Sequence, residues 1–370
     1  MRKVRLTLIH QKKSFDWMIV GLVILLSLFG LLMIYESSNV SAFRDFGDKY
    51  HYVKDQLVWM ILGLCAFTFF SFFDYHKLYN ISPVILFGTI ILLVLVFVPG
   101  IGIKALGAHR WIRLGSFNFQ PAEVSKLAII IYLSSWFTYK EKGRLLPFVS
   151  LLLIILGLVI AEPDLGTSII IMFVSLVLYF LSGAPFWQFF LLIPMGALGS
   201  LFLSVVSPYR FKRLTTFLDP SIDPLGASYH IRQILIGLGS GGLFGLGLGS
   251  SRQKYEYLPE ATTDSIFAII GEELGFIGAI FLFSVMTFLI YRCFRIAKNA
   301  PDRFGQLLSG GIASFLSIQI VINLGSMVAL FPLTGVPLPF ISYGGSNLIV
   351  TMSGLGILLN ASKQIVERKK

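Results

Sequence analysis

Residues 304–362 read FGQLLSGGIASFLSIQIVINLGSMVALFPLTGVPLPFISYGGSNLIVTMSGLGILLNAS, 59 consecutive positions without a charged side chain. A soluble domain, in which about a quarter of the residues are charged, has no place for such a run. A bilayer does: its hydrocarbon core is about 30 Å thick and takes about 20 apolar residues as one helix. The run is long enough for two crossings, and the cluster Pro332, Gly335, Pro337, Pro339, Gly344 and Gly345 marks the division between them.

The rest of the 370 residues follows the same pattern. The chain is 55% hydrophobic and only 13% charged, with a mean hydropathy of +0.80. This excludes a soluble enzyme or a disordered chain and predicts an all-α polytopic membrane protein forming one integral domain. Apolar stretches predict ten transmembrane helices at about 17–35, 56–73, 81–98, 122–139, 145–161, 165–182, 187–206, 265–291, 306–330 and 343–361. With the N-terminus inside, inner segments hold 17 Lys and Arg and outer loops 12, six of them in the stretch 207–264. The positive-inside rule therefore favours N-in, C-in, with 207–264 as a long extracytoplasmic loop between helices 7 and 8. The basic first residues precede an apolar run long enough to span, so no cleaved leader is expected.

The net charge of +11 is not a nucleic-acid signal once it is placed on this topology. Lys104, Arg110, Arg113 and the cations of 207–264 sit where orientation gives no reason for them. They suit an anionic ligand such as a lipid diphosphate, or they snorkel to headgroups. Cys65 and Cys293 form no disulfide framework, and the five histidines lack metal-ligand spacing. Gly237-x-Gly239-x-x-Gly242 matches a dinucleotide fingerprint only formally, since no strand precedes it. No organic cofactor is expected. The glycines of 237–249 instead suit close helix packing or re-entrant backbone.

Carboxylates concentrate at the mouth of the eighth span, where Glu256, Glu260 and Asp264 fall within nine residues. A carboxylate there suits a general base or a divalent cation. Asp264 equally suits an ordinary helix N-cap, and Glu256 and Glu260 a solvated loop. Glu123 and Lys126 share a face of the fourth span, as a structural ion pair or as a cavity wall. Asp164 either caps the sixth span or faces the same cavity. At least one of Glu272 and Glu273, two to three turns into the eighth span, is expected to face protein or water.

Taken in order, Arg110-Trp-Ile, Gln120-Pro-Ala-Glu123-x-x-Lys126, Glu162-Pro-Asp-Leu-Gly-Thr167 and Tyr209-Arg-x-x-Arg213 through Phe217-Leu-Asp-Pro220 resemble the SEDS family (shape, elongation, division and sporulation). So do Gly239-Ser-Gly-Gly242, Leu258-Pro-Glu-Ala-x-Thr-Asp264, Gly271-Glu-Glu-Leu-Gly275 and Pro337-Leu-Pro-Phe-Ile-Ser-Tyr-Gly-Gly-Ser346. The chain looks more like the FtsW division branch than the RodA elongation branch, on Ala161-Glu-Pro-Asp164, Gln253-Lys254 and Gly247-Leu-Gly-Ser250.

The resemblance implies a peptidoglycan glycosyltransferase that polymerises a polyprenyl-diphosphate-linked disaccharide-pentapeptide at the outer face of the bacterial cell membrane, at the division septum. It implies Asp264 as the base that deprotonates the acceptor 4-hydroxyl. Undecaprenyl diphosphate would leave with inversion, helped by Arg110, Arg213, Lys254 or a divalent cation (Mg or Mn). Glu123, Lys126, Asp164 and Glu256 would line or brace the substrate cavity. The implied partners are a class B penicillin-binding protein, as transpeptidase, and other divisome membrane proteins. Ala122, His230, Ile234 and Ser265 stand where the family more often has Ser, Gln, Ser and Phe.

Two other readings compete. A transporter that flips the lipid-linked precursor would fit intramembrane charge and broken spans. A scaffold that only recruits partners would leave the carboxylates at 256–264 unexplained.

Overall fold

The computed structural model describes residues 15–105, 108–115, 117–139, 143–219 and 226–365. The basic N-terminus (1–14), the charged residues at 140–142, the segment 220–225 with Pro220, and the basic residues at 366–370 lie outside them, as do the side chains of Lys104 and Arg210.

Ten helices lie over the ten apolar stretches: α1 (Trp17–Phe46), α2 (His51–Phe72), α3 (His76–Leu95), α4 (Pro121–Trp136), α5 (Leu145–Ala161), α6 (Leu165–Leu181), α7 (Trp187–Val206), α10 (Ile266–Asn299), α11 (Arg303–Met327) and α12 (Gly345–Lys363). Six of them (α1, α2, α3, α7, α10 and α11) are long and apolar enough to cross a membrane, and α5 and α6 are shorter apolar helices. The chain is a polytopic helical membrane protein. Its centre is α11: 72% of the most apolar window of α11 is buried, against 11% for α7. The remaining two, α4 and α12, carry buried polar groups (Glu123, Ser125 and Lys126; Asn347, Thr351 and Asn360) and lie against α11 and each other. Such groups must find partners in protein when lipid is the alternative.

Two regions depart from a simple bundle. Between α3 and α4 the chain forms an antiparallel sheet of β1 (Gly102–Ala105), β2 (Ala108–Leu114) and β3 (Phe117–Phe119), in the order β1-β2-β3. The apolar count along the chain has no counterpart to it, because these strands are short and pair locally. The stretch 207–264 is not an open loop either. It contains α8 (Pro208–Leu218) and α9 (Ala227–Ser240), followed by a run of turns.

Those turns lock into α10. Gly275, inside α10, has φ 67° and ψ −170°, so the helix ladder is broken there. The freed carbonyls of Glu272 and Glu273 accept the backbone N–H groups of Leu246 and Gly247, each at 3.0 Å. The N–H groups of Phe276 and Ile277 donate to the carbonyls of Gly242 (2.9 Å) and Leu243 (3.1 Å). A broken helix at membrane depth is tolerated only when its orphaned groups are re-paired in this way. Only glycine permits the approach. A Cβ on Gly245, which has φ 82°, would lie 2.1 Å from the Glu273 carbonyl oxygen, and one on Gly275 would lie 2.2 Å from the Gly245 nitrogen.

Gly245→Ala is therefore expected to lower stability by at least about 2 kcal/mol, combining backbone strain with a disrupted hydrogen-bond set. Gly239→Ala, at an exposed α9 position with open space around its Cβ, is expected to be neutral or stabilising by about 0.5–1 kcal/mol. Thermal denaturation of the two variants in detergent, followed by size-exclusion chromatography, checks the contrast.

Candidate active site

Asp264 ends a tight turn. Glu260, with φ 50°, offers its carbonyl to the N–H groups of Thr263 and Ser265, both at 3.2 Å. Two clamps hold this turn against the segment joining α11 to α12. The Tyr343 N–H donates to the Thr262 carbonyl at 2.9 Å. The Asn323 amide of α11 donates to the Asp264 carbonyl (2.9 Å) and to that of Val336 (2.8 Å). Gly335 lies alongside, its Cβ position 3.8 Å from Asp264 Oδ2.

Asp264 is not the N-cap of α10, an expectation the sequence left open. The cap position is Ser265, and no side chain caps it. The physical reason is the turn: the backbone of Asp264 is held by Asn323, and its carboxylate contacts Thr263 Oγ1 at 3.2 Å rather than the first free N–H groups of the helix. Asp264 is 7% exposed. Burial raises its pKa most, the Glu260 charge raises it further, and Arg213 and Thr263 oppose; the result is about 6. A carboxylate so poised is ionised at neutral pH yet basic enough to take a proton.

The neighbouring elements complete the surroundings. Arg213 of α8 donates to the Leu333 carbonyl at 3.0 Å and acts on the Asp264 charge. His230 of α9 meets Ser265 Oγ through Nε2 at 2.7 Å. Burial and the Arg213 charge push this imidazole down to about 4, so it is neutral at working pH. Two positions that depart from the common family pattern, His230 and Ser265, are thus partners.

The other expected site residues are committed elsewhere. Glu123 and Lys126 are 3% and 1% exposed. Glu123 accepts from Lys126 (2.8 Å) and Asn347 of α12 (2.8 Å), while Lys126 also donates to Gln319 of α11 (3.1 Å). Gln319 in turn donates to the Pro337 carbonyl at 2.9 Å. The pair therefore braces α4, α11, α12 and the segment over Asp264. Asp164 caps α6, accepting from the Thr167 N–H (3.0 Å) and hydroxyl (2.9 Å), and takes a bond from Gln120 (2.9 Å). Arg110 of β2 donates to the carbonyls of Glu162 (2.9 Å) and Pro163. Lys254 is 5% exposed and lies between Glu36 of α1 (3.7 Å) and Glu273 (3.6 Å), donating to the Gly249 carbonyl. Glu256 pairs with Arg44 at the end of α1. Of the expected cations, Arg213 is the one that acts on Asp264.

Sequence reasoning passed over Gln319, Asn323 and Asn347. The signal was present: amides at 319 and 323, four apart in an otherwise apolar run, share one helix face. In the sequence, the buried acid Glu162 stands out only as the first residue of Glu162-Pro-Asp-Leu-Gly-Thr167. It is fully buried, and neither carboxyl oxygen has a hydrogen-bond partner among the described residues. Burial, then Asp164, pushes it up to about 9 against the Arg110 charge.

The donor set does not fit a protein-held metal. Asp264 faces Arg213, Glu260 bonds Thr263 and Glu256 bonds Arg44. Among the described residues, no three His, Cys, Asp or Glu side chains converge.

Fold and site together define a membrane-embedded helical bundle that presents a buried carboxylate beside a cation at one end. The profile of the Cell cycle protein family (FtsW, RodA, SpoVE) matches residues 16–367, and the chain belongs to this family, the SEDS proteins. It is 40% identical to stage V sporulation protein E of Bacillus subtilis over 359 residues, 95% of this chain and 98% of that one. It is 39% identical to a probable peptidoglycan glycosyltransferase FtsW of Trichlorobacter lovleyi, covering 94% and 93%. Among solved structures, a chain of a peptidoglycan synthase complex that coordinates polymerization and crosslinking superposes with a TM-score of 0.77 at 29% identity, covering 94% and 98%. The rod shape determining protein RodA of Thermus thermophilus gives 0.71 at 27%, covering 96% and 99%.

The electrostatics set the direction of two pH effects. Glu260 raises the Asp264 pKa and Arg213 lowers it. In a plot of activity against pH, Glu260→Gln should move the acid limb below about 6, and Arg213→Gln should move it up. Glu162 generates a stability effect. Its folded pKa lies above its unfolded value, so the folded state loses stability as pH rises from about 4.5 towards 9. Glu162→Gln is expected to flatten that slope, measured as melting temperature against pH.

Proposed function

We propose that this chain is a peptidoglycan glycosyltransferase that uses Asp264 as its general base. The observation that carries the reading is the buried Asp264 carboxylate, held by backbone clamps beside Arg213, in a chain whose relatives bearing that name match it over nearly its whole length. The N-in, C-in orientation, supported by the Lys and Arg distribution, puts this end of the bundle at the outer membrane face.

In the reaction, the 4-hydroxyl oxygen of the acceptor sugar attacks the anomeric carbon of the lipid-linked donor. Its proton passes to Asp264, the bond from the anomeric carbon to the diphosphate breaks, and polyprenyl diphosphate leaves with inversion. A positioned base of this kind contributes about 10²–10⁴-fold. Arg213 supplies positive charge for the leaving diphosphate. Arg110, Glu123, Lys126, Asp164, Lys254 and Glu256 serve the substrate by holding the cavity walls in register. A divalent cation, Mg or Mn, would be brought by the substrate diphosphate, whose charge it would help to neutralise; no cage of side chains among the described residues is assigned to hold it. The partner is a class B penicillin-binding protein, a reading supported by the peptidoglycan synthase complex among the structural neighbours. A role at the division septum, with other divisome membrane proteins, follows the FtsW relatives. The similarity to a sporulation protein favours peptidoglycan synthesis during sporulation as the second setting.

The test is glycan polymerisation from lipid-linked disaccharide-pentapeptide, read as a product ladder, with the cognate transpeptidase and a divalent cation present. Wild type should give a ladder, and Asp264→Asn should reduce it at least 100-fold with an unchanged elution profile. A ladder of equal strength from Asp264→Asn removes Asp264 as the base. Lipid movement across vesicles without polymer would indicate a transporter.

A further inference from the structure

A base that is 7% exposed must lose its proton after every transfer before it can act again. Among the described residues, the Asp264 carboxylate meets a single hydroxyl, that of Thr263, at 3.2 Å from Oδ1. The same Thr263 Oγ1 lies 2.8 Å from Oε2 of Glu260. Asp264 is buried, whereas Glu260 is exposed. The three groups thus form a line from the buried carboxylate to water, and the turn that makes the line is the one closed by the Glu260 carbonyl.

The geometry points to a proton exit path: Thr263 and Glu260 carry the proton from Asp264 to solvent. This rests on Asp264 being the base. The path balances. Once protonated, Asp264 donates its O–H to Thr263 Oγ1, and the Thr263 hydrogen moves to Glu260 Oε2. Asp264 is left ionised, Thr263 is again neutral, and Glu260 releases the proton to water. A hydroxyl suits the middle position because it accepts and donates at once. A carboxylate suits the outer one because water reaches it. Glu260 also tunes the base, since its charge disfavours ionised Asp264 and that effect fades as Glu260 itself takes up the proton. Other charges near the line are Arg213 from α8, Arg44 and Asp45 from the end of α1, and Asp55 from α2. The Arg213 charge also acts on neutral His230.

The experiment uses the full chain with its transpeptidase partner and measures initial polymerisation rates at saturating lipid-linked substrate. The variants are Thr263→Val, which keeps the shape and removes the hydroxyl, Thr263→Ser, and Glu260→Gln. Thr263→Val and Glu260→Gln are each expected to lower kcat about tenfold, the scale of one lost hydrogen bond in a transition state, with KM unchanged. Small buffer bases (formate, acetate or neutral imidazole) should restore the rate in proportion to their concentration, because they accept the proton from Asp264 in place of the relay. Thr263→Ser should recover the turnover that Thr263→Val loses. A Thr263→Val rate within twofold of wild type, or a loss that no buffer restores in a protein with a normal melting temperature, overturns the path. If instead Asp264→Asn polymerises like wild type, the base assignment fails, and this is seen before any relay variant is read.

Discussion

The membrane core supplies no water to an interrupted helix, and the break in α10 at Gly275 is the constraint on which the rest of this protein depends. Four backbone groups are freed there, and four groups of the segment 242–247 answer them. The side chains of the same two residues extend the lock. Glu272 accepts from the Ser251 hydroxyl and from the N–H groups of Arg252 (3.2 Å) and Gln253 (3.3 Å). Glu273 accepts from the Ser251 N–H (3.3 Å) and faces Lys254. Glu272 and Glu273 are therefore the receptor for a re-entrant stretch of backbone rather than members of a substrate site. Glu272 is multiply bonded, whereas Oε2 of Glu273 is buried without a hydrogen-bond partner among the described residues.

This lock carries through to the chemistry. From Lys254, pinned between α1 and α10, only a short run of turns leads to Asp264. Its far end is held by Tyr343 and Asn323, and Asn323 belongs to α11, the most enclosed of the candidate spanning helices. The Glu123–Lys126–Gln319–Pro337 chain steadies the segment that lies over the carboxylate. Most of the charged residues near this end of the bundle thus act by placing others. Asp264 and Arg213 remain as the pair assigned to the reacting groups in the proposed reaction, with Thr263 and Glu260 as the proposed link to water.

Helical class was legible in the sequence because apolar length is a local property: ten of the twelve helices among the described residues fall on the ten apolar stretches, and α8 and α9 do not. Asp264 stood out in the sequence through resemblance and through the density of carboxylates at 256–264. Its role as a cap was not excluded by spacing. Capping is decided by a turn geometry that depends on Asn323, 59 residues away. The three-stranded sheet escaped notice because strands of three to seven residues leave little mark on a hydropathy trace. Lys254 and Arg110 read as ligands for phosphate because both are cations in an outer segment. Only their neighbours, Glu36 and Glu273 for one and two carbonyls for the other, show them as braces.

What the sequence by itself determined was the solvent of each segment. Charge-free runs of about 20 residues have one stable environment, and glycines in a membrane-facing run announce close backbone approach. What tertiary structure decided was the partner of each buried polar group. Glu123, Glu272 and Asp264 are all acids near a helix in an apolar chain. One is an ion-pair brace, one a receptor for backbone N–H groups, and one a carboxylate raised to about 6. The difference lies in which donors and charges the fold brings within about 3 Å of each. Hydrogen bonds act only at that range, so long-range contacts settled what residue type and spacing left open.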